Sequence, residues 1–240
     1  MDIGPARSLA DIIRVFNPQR PLEGETLKAY YADRNLDVRK RMQTYLGMAS
    51  DNPVKMLFTG HTGSGKSTEL NQLVTDLGNS FFVVKVRTSD TVAPTDLTYI
   101  DVIIIAAMAL FREASSAGLV NKAPAQIIDD AWDDVGRMIN SVIFGKVPYR
   151  KTGSNMALNE VGGKIGASAV QGLTLEFETR FKNEINTRQQ IREDMKDQLS
   201  EVIRRMDLIS GEVQHRYGKP VLIVIEDTDK PDKARARYFL

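Results

Sequence analysis

The run Gly60-His61-Thr62-Gly63-Ser64-Gly65-Lys66-Ser67 constrains this chain more than any other feature. Its closely spaced glycines let the backbone curl until successive N–H groups point inward, a shape that holds an anion. Just before it, Lys55-Met56-Leu57-Phe58-Thr59 is short, apolar and bounded by Pro53 and Gly60, which predicts a buried strand; the residues after it predict a helix over about Lys66 to Leu77. Strand, glycine loop and helix in that order set a phosphate against the positive end of a helix. Lys66 then offers its ammonium to β- and γ-phosphate oxygens, and the Ser67 hydroxyl can ligate a Mg²⁺ that bridges them. A glycine-rich turn matching by chance would not need the flanking strand and helix. The expected phosphate-binding residues are Gly60, His61, Thr62, Gly63, Ser64, Gly65, Lys66, Ser67 and Thr68, with His61 a pocket-rim position rather than a base.

A triphosphate site also needs a carboxylate at a strand end, to orient Mg²⁺ or the attacking water. Pro220-Val221-Leu222-Ile223-Val224-Ile225 reads as a central parallel strand, and it ends in Glu226-Asp227-Thr228-Asp229-Lys230. Ligands of open α/β sheets bind at that carboxyl edge. An acidic turn closing a core strand is the plain alternative, and the upstream loop argues against it. Glu226 and Asp227 are therefore the candidate catalytic and metal-ligating residues beside Lys66 and Ser67, with the division of roles between the two acids left open.

Composition narrows the class. Hydrophobic residues make up 42% and charged residues 26% of the 240, an ordinary globular balance that excludes a mainly disordered or collagen-like chain. A net charge of +1 argues against a surface that is one continuous nucleic-acid or membrane field. The absence of cysteine removes disulfide scaffolds, thiol nucleophiles and thiolate metal sites, and His61 and His215 alone do not make a multi-histidine centre. The longest apolar run, Val102 to Phe111, is too short to span a bilayer, and Met1 to Ala10 lacks a signal-peptide core, so the expectation is a cytoplasmic protein with no membrane partner.

Along the chain, residues 1–52 read as an N-terminal helical arm, with a helix around Leu9 to Phe16, a loop from Asn17 to Gly24 and a second helix over Leu36 to Gly47. Residues 53–240 read as the core, with a second strand over Phe81 to Val86 and a helical elaboration at about 98–215. That elaboration comprises a buried helix over Tyr99 to Ala117, a helix over Pro124 to Phe144, a glycine-rich insertion from Gly145 to Thr174, a hairpin candidate at Leu173 to Glu178 and one long helix over Arg180 to Tyr217. Met195, Leu199, Val202, Met206, Ile209 and Val213 alternate at steps of four and three, a seam that packs on its own domain or, alternatively, pairs with another subunit. The fold class is α/β, a parallel sheet flanked by helices.

The pair GHTGSGKS and VLIVIEDTDK resembles Walker A and Walker B of the additional-strand P-loop ATPases, the AAA+ and STAND/KAP-like group. Tyr31 to Val38 resembles that group's element bordering the adenine, and Arg34 is the residue carried over; Asp33 and Asn35 depart from the pattern. The resemblance implies a P-loop NTPase core with a large helical insertion between the two motifs, ATP and Mg²⁺ as ligands, and hydrolysis to ADP and phosphate. It further implies a conformational or assembly switch, with a homo-oligomer or protein partner. The chain stops at Leu240, before that group's sensor strand, arginine finger and helical lid, so the expectation is a fragment with weak activity. Asn121-Lys122-Ala123-Pro124 lacks the final Asp of a guanine-reading motif, which favours ATP over GTP. A non-hydrolysing nucleotide scaffold is the competing reading. Nucleic-acid association is a further one, through Lys146, Arg150 and Lys151 and through Lys230, Lys233, Arg235 and Arg237.

Overall fold

The computed structural model describes residues 8–15, 17, 20–33, 36–48, 53–61, 63–117, 179, 181–183 and 185–228. The chain divides into two compact units, Met1–Val83 and Val84–Leu240. The helix expected over Pro124 to Phe144, the insertion, the hairpin candidate and the basic residues at 146–151 and 230–237 lie outside the described residues.

In the first unit, helices α1 (Leu9–Val15), α2 (Gly24–Tyr30), α3 (Leu36–Gly47) and α4 (Lys66–Leu77) follow in order. Leu27, Leu46, Leu73 and Leu77 are buried, and α2 and α3 both pack on α4. Polar ties fix the segment before α2 to the same helix: the Leu22 N–H donates to Thr68 Oγ1 at 3.2 Å and Asn71 Nδ2 donates to the Leu22 carbonyl at 2.6 Å. From α3, Arg39 Nε lies 3.1 Å from Asp76 and Gln43 donates to the same carboxylate at 3.0 Å.

Two expectations are corrected here. Lys55 to Thr59 form no strand: Met56 is 40% and Leu57 63% exposed, and the segment is not in the sheet. An apolar run becomes a strand only through ladder bonds to a neighbour, which composition alone does not supply. Gly24, read as loop, instead opens α2; Glu23 acts as N-cap, with Thr26 closing a reciprocal pair of bonds at the first turn.

The second unit holds a two-stranded parallel sheet of β1 (Phe82–Arg87) and β2 (Val221–Glu226). α5 (Tyr99–Ser116) packs on β2 and presents Ile104, Met108, Leu110 and Phe111 to the interior. Its start is fixed by Thr98, whose N–H donates to Asp101 Oδ2 at 2.7 Å while its Oγ1 accepts from the Asp101 N–H. The single helix expected from Arg180 to Tyr217 is broken into α6 (Ile185–Lys196) and α7 (Leu199–Tyr217). Residues 197–198 turn, with the Gln198 carbonyl accepting the first bonds of α7. The seam survives that break. Met195, Val202, Ile209 and Val213 are buried, and α7 lies against α5, so the apolar stripe packs within its own unit.

An ion cluster joins α6 to the start of α5. Arg192 donates to both oxygens of Asp101 at 2.8 and 2.7 Å, and Arg188 lies 2.8 Å from Asp96. Asp101 is wholly buried and Arg188 nearly so. Burial by itself would raise the Asp96 pKa, but hydrogen bonds and charge from Arg192, joined by Arg188, hold it below the usual carboxylate range. Among the described residues no helix is long and apolar enough to cross a membrane.

Candidate functional site

The glycine loop is built by backbone conformations that only glycine adopts freely. Gly63 has φ +81° and Gly65 φ +88°, both left-handed, and Gly65 is the N-cap of α4. Because Gly65 has no side chain, the start of α4 carries no side-chain cap, which leaves its N-terminal end to an external acceptor. Gly60 is closely approached by two side chains of its own loop. A Cβ there would stand 3.1 Å from Ser64 Oγ and 3.5 Å from Lys66 Cδ, where the loop closes on itself.

Lys66 folds back over this loop. Its Nζ donates to the Gly60 carbonyl at 2.8 Å and to the His61 carbonyl at 3.2 Å, and the Ser64 N–H also donates to the His61 carbonyl at 3.1 Å. The ammonium, loop backbone and helix start thus form one cradle. Ser67 lies in the first turn of α4, and His61 is exposed at the rim. Thr68 has a structural task, since its hydroxyl accepts the Leu22 N–H. Arg34 and Thr62 lie outside the described residues.

One turn into α4, Glu69 is buried and accepts a hydrogen bond from the Tyr31 hydroxyl at 2.7 Å. Arg39 donates to that same hydroxyl, pairs with Asp33 at 2.7 Å and stands over the Tyr31 ring at 5.4 Å. Burial, with the Glu69 hydrogen bond and charge, pushes the Tyr31 pKa up to about 12. Glu69 and Arg39 were not singled out from sequence, and Tyr31 and Asp33 stood there only within the segment resembling an adenine-bordering element; no local pattern links residues 38 positions apart.

In the second unit the strand end resolves the two acids. Glu226 is the last residue of β2 and is 4% exposed, whereas Asp227 leaves the strand at φ +62°. Left-handed backbone in a non-glycine residue is strained, and Asp is among the residues that tolerate it. A fully buried Thr88 holds the turn, its hydroxyl 3.1 Å from the carbonyls of both Glu226 and Asp227, and Ser89 donates to Asp227 Oδ2 at 2.5 Å. Lys85 Nζ lies 3.1 Å from Glu226 Oε1, and Arg87 lies 3.9 Å from Glu226 Oε2 and 4.0 Å from Asp227 Oδ2. Both Glu226 oxygens are buried without a hydrogen bond, so the Lys85 contact is an ion pair of poor hydrogen-bond geometry. The polar residues that end β1 were missed from sequence, although the alternation of Lys85 and Arg87 with Val84 and Val86 was visible there.

These features fit the ligands the sequence suggests. The cradle offers cation and amide donors to a phosphate chain, and Glu226 offers buried oxygens with unused acceptor capacity to a cation. No group of three or more metal-ligating side chains occurs among the described residues. Comparison with family models, with curated proteins and with solved structures finds no match for this chain.

Proposed function

We propose that this chain is an ATP-binding P-loop domain of the AAA+/STAND type, which hydrolyses ATP to ADP and phosphate and uses the nucleotide as a conformational or assembly switch. The observation that carries the reading is Lys66 folded over a loop whose Gly63 and Gly65 adopt left-handed conformations at an uncapped helix start. Lys66 now bonds neutral carbonyls. A phosphate oxygen is the stronger acceptor, because charge-assisted bonds are roughly twice as strong as neutral ones, so the ammonium transfers to the β/γ-phosphates on binding. Loop N–H groups and the α4 terminus take the remaining phosphate charge.

Ser67 would ligate the Mg²⁺ that neutralises charge on the transferring phosphoryl group, and Glu226 and Asp227 are the candidate acids at the end of β2. Of the two acids, Asp227 is the one presented beyond the strand, on a turn held by Thr88 and Ser89. Its carboxylate suits a water-orienting role and Glu226 suits the cation. The switch has a mechanical route within the first unit: a shift of α4 on phosphate binding acts directly on Glu69, and through Tyr31 on the end of α2. The chain contains no cysteine, as suits a reducing cytoplasm.

Titration with a fluorescent ATP analogue and Mg²⁺, competed by ATP, ADP and GTP, tests this reading. Micromolar binding that prefers adenine and is lost in Lys66→Ala is expected; binding indifferent to Lys66→Ala would contradict it. Retained binding with no phosphate release, in this chain and in any longer protein that contains it, would favour the non-hydrolysing scaffold.

A further inference from the structure

Arg39 of α3 is tied to both ends of α4. Its Nε lies 3.1 Å from Asp76 in the last turn of α4, while its Nη1 donates to the Tyr31 hydroxyl, which itself donates to Glu69 in the first turn at 2.7 Å. Asp33 accepts from Nη2 at 2.7 Å. Glu69 belongs to the glycine loop's end of the helix. Its N–H donates to the Gly65 carbonyl at 3.0 Å, and the residue is buried at the positive helix end that the loop offers to an anion. Tyr31 is the joint of this chain, donor to Glu69 and acceptor from Arg39. Burial and the Glu69 bond push its pKa up to about 12, so the hydroxyl keeps its proton for Glu69 throughout the neutral range.

We propose that Glu69, Tyr31 and Arg39 form a coupling device: an anion in the glycine loop tightens α3 on α4 through them, and α3 in turn sets the loop's affinity for triphosphate. This rests on the P-loop reading and extends its mechanical route from α2 to α3. Triphosphate at the start of α4 repels the Glu69 carboxylate about one turn away. The carboxylate then draws harder on the Tyr31 proton, and the hydroxyl oxygen, made more negative, draws harder on the Arg39 guanidinium. Hydrogen bonds in a chain polarise one another in this way. By linkage, whatever phosphate adds to the hold on α3, that hold adds to the affinity for phosphate. Tyr31 and Arg39 are thus positioning residues that act on the loop through Glu69. Buried Leu46 and the Arg39 and Gln43 contacts to Asp76 keep α3 docked when the Tyr31 joint is cut, so the coupling is separable from the packing.

Amide hydrogen exchange over residues 36–47, with and without Mg-ATP, tests the coupling, and residues 60–69 report binding in the same experiment. Nucleotide should slow exchange in both segments of the wild type. Tyr31→Phe cuts the chain at its joint; Glu69→Gln keeps an acceptor for the Tyr31 hydroxyl but removes the charge that phosphate repels. Both variants should still bind Mg-ATP and protect residues 60–69, and both should lose the response of α3. Triphosphate affinity in Tyr31→Phe should fall about fivefold, the lower end of coupling between sites. A merely structural role would lower the protection of α3 equally with and without nucleotide and leave its response in place. Protection of residues 60–69 with unchanged exchange over 36–47 in the wild type, or an α3 response that persists in either variant, would overturn the coupling. No protection of residues 60–69 in the wild type would instead be the failure of the P-loop reading, and the coupling falls with it.

Discussion

The Lys66 ammonium lies 2.8 Å from the carbonyl of Gly60, the residue that opens its own loop. The first and last parts of the glycine run are therefore bonded to each other, and the cradle has its shape before a phosphate arrives. Preformed donors cost less ordering on binding than donors that must be gathered.

Lys66→Ala should cost at least about tenfold in triphosphate affinity, the loss of one charge-assisted bond. Stability should change little, because the Lys66 bonds to the Gly60 and His61 carbonyls lie on an exposed loop; surface substitutions of this kind stay within about 0.5 kcal/mol. Thermal melts alongside the nucleotide titration check both halves.

Tyr31→Phe removes the hydroxyl that satisfies buried Glu69 and should cost roughly 1–2 kcal/mol in chemical denaturation. It should also alter the alkaline limb. The folded Tyr31 pKa of about 12 lies above its ordinary value of 10.0, so its contribution is complete below pH 10 and is lost as pH rises toward 12. Melting temperatures from pH 9 to 12 should fall less steeply in Tyr31→Phe than in the wild type.

Asp101→Asn should be the most damaging of these changes, about 2 kcal/mol, since it replaces a wholly buried carboxylate that takes two charge-assisted bonds from Arg192 and leaves that guanidinium to Asp96. The neighbouring Asp96 supplies a pH signature. Its pKa is held below 3.8, so its contribution is complete above that value and is lost as pH falls further. Urea midpoints compared between pH 7 and pH 3 should show a smaller acid loss in Asp96→Asn than in the wild type.

Asp227→Asn should abolish phosphate release while leaving nucleotide affinity and melting temperature near wild type, because Asn tolerates the φ +62° backbone as Asp does. Asp227→Ala should lose activity equally and also cost about 1 kcal/mol in stability, the penalty for a left-handed residue without a locally bonding side chain. Phosphate-release assays paired with melts separate the two effects.

Much of the architecture was legible locally. α3 and α4 follow from helical spacing between clear bounds, and β1 and β2 begin and end within a residue or so of the apolar runs that predict them. The break between α6 and α7 was not legible, because the apolar steps run through Met195, Leu199 and Val202 without interruption while the backbone turns at 197–198. Lys55 to Thr59 misled in the opposite way: apolar content suggested a strand, but strand formation depends on a pairing partner that lies elsewhere in the chain. In the candidate site, the glycine loop and the acidic strand end are contiguous motifs and could be read directly. The groups around them could not. Thr88 reaches across 138 residues to Glu226 and Arg192 across 91 to Asp101. Such contacts arise from tertiary packing and leave no periodic trace.

Amide hydrogen exchange of the loop and the start of α4, with and without Mg-ATP, tests the central claim most directly. The account predicts slowed exchange across residues 60–69 on adding nucleotide in the wild type and none in Lys66→Ala. Unchanged exchange at those residues under saturating nucleotide, or equal protection in Lys66→Ala, would contradict it.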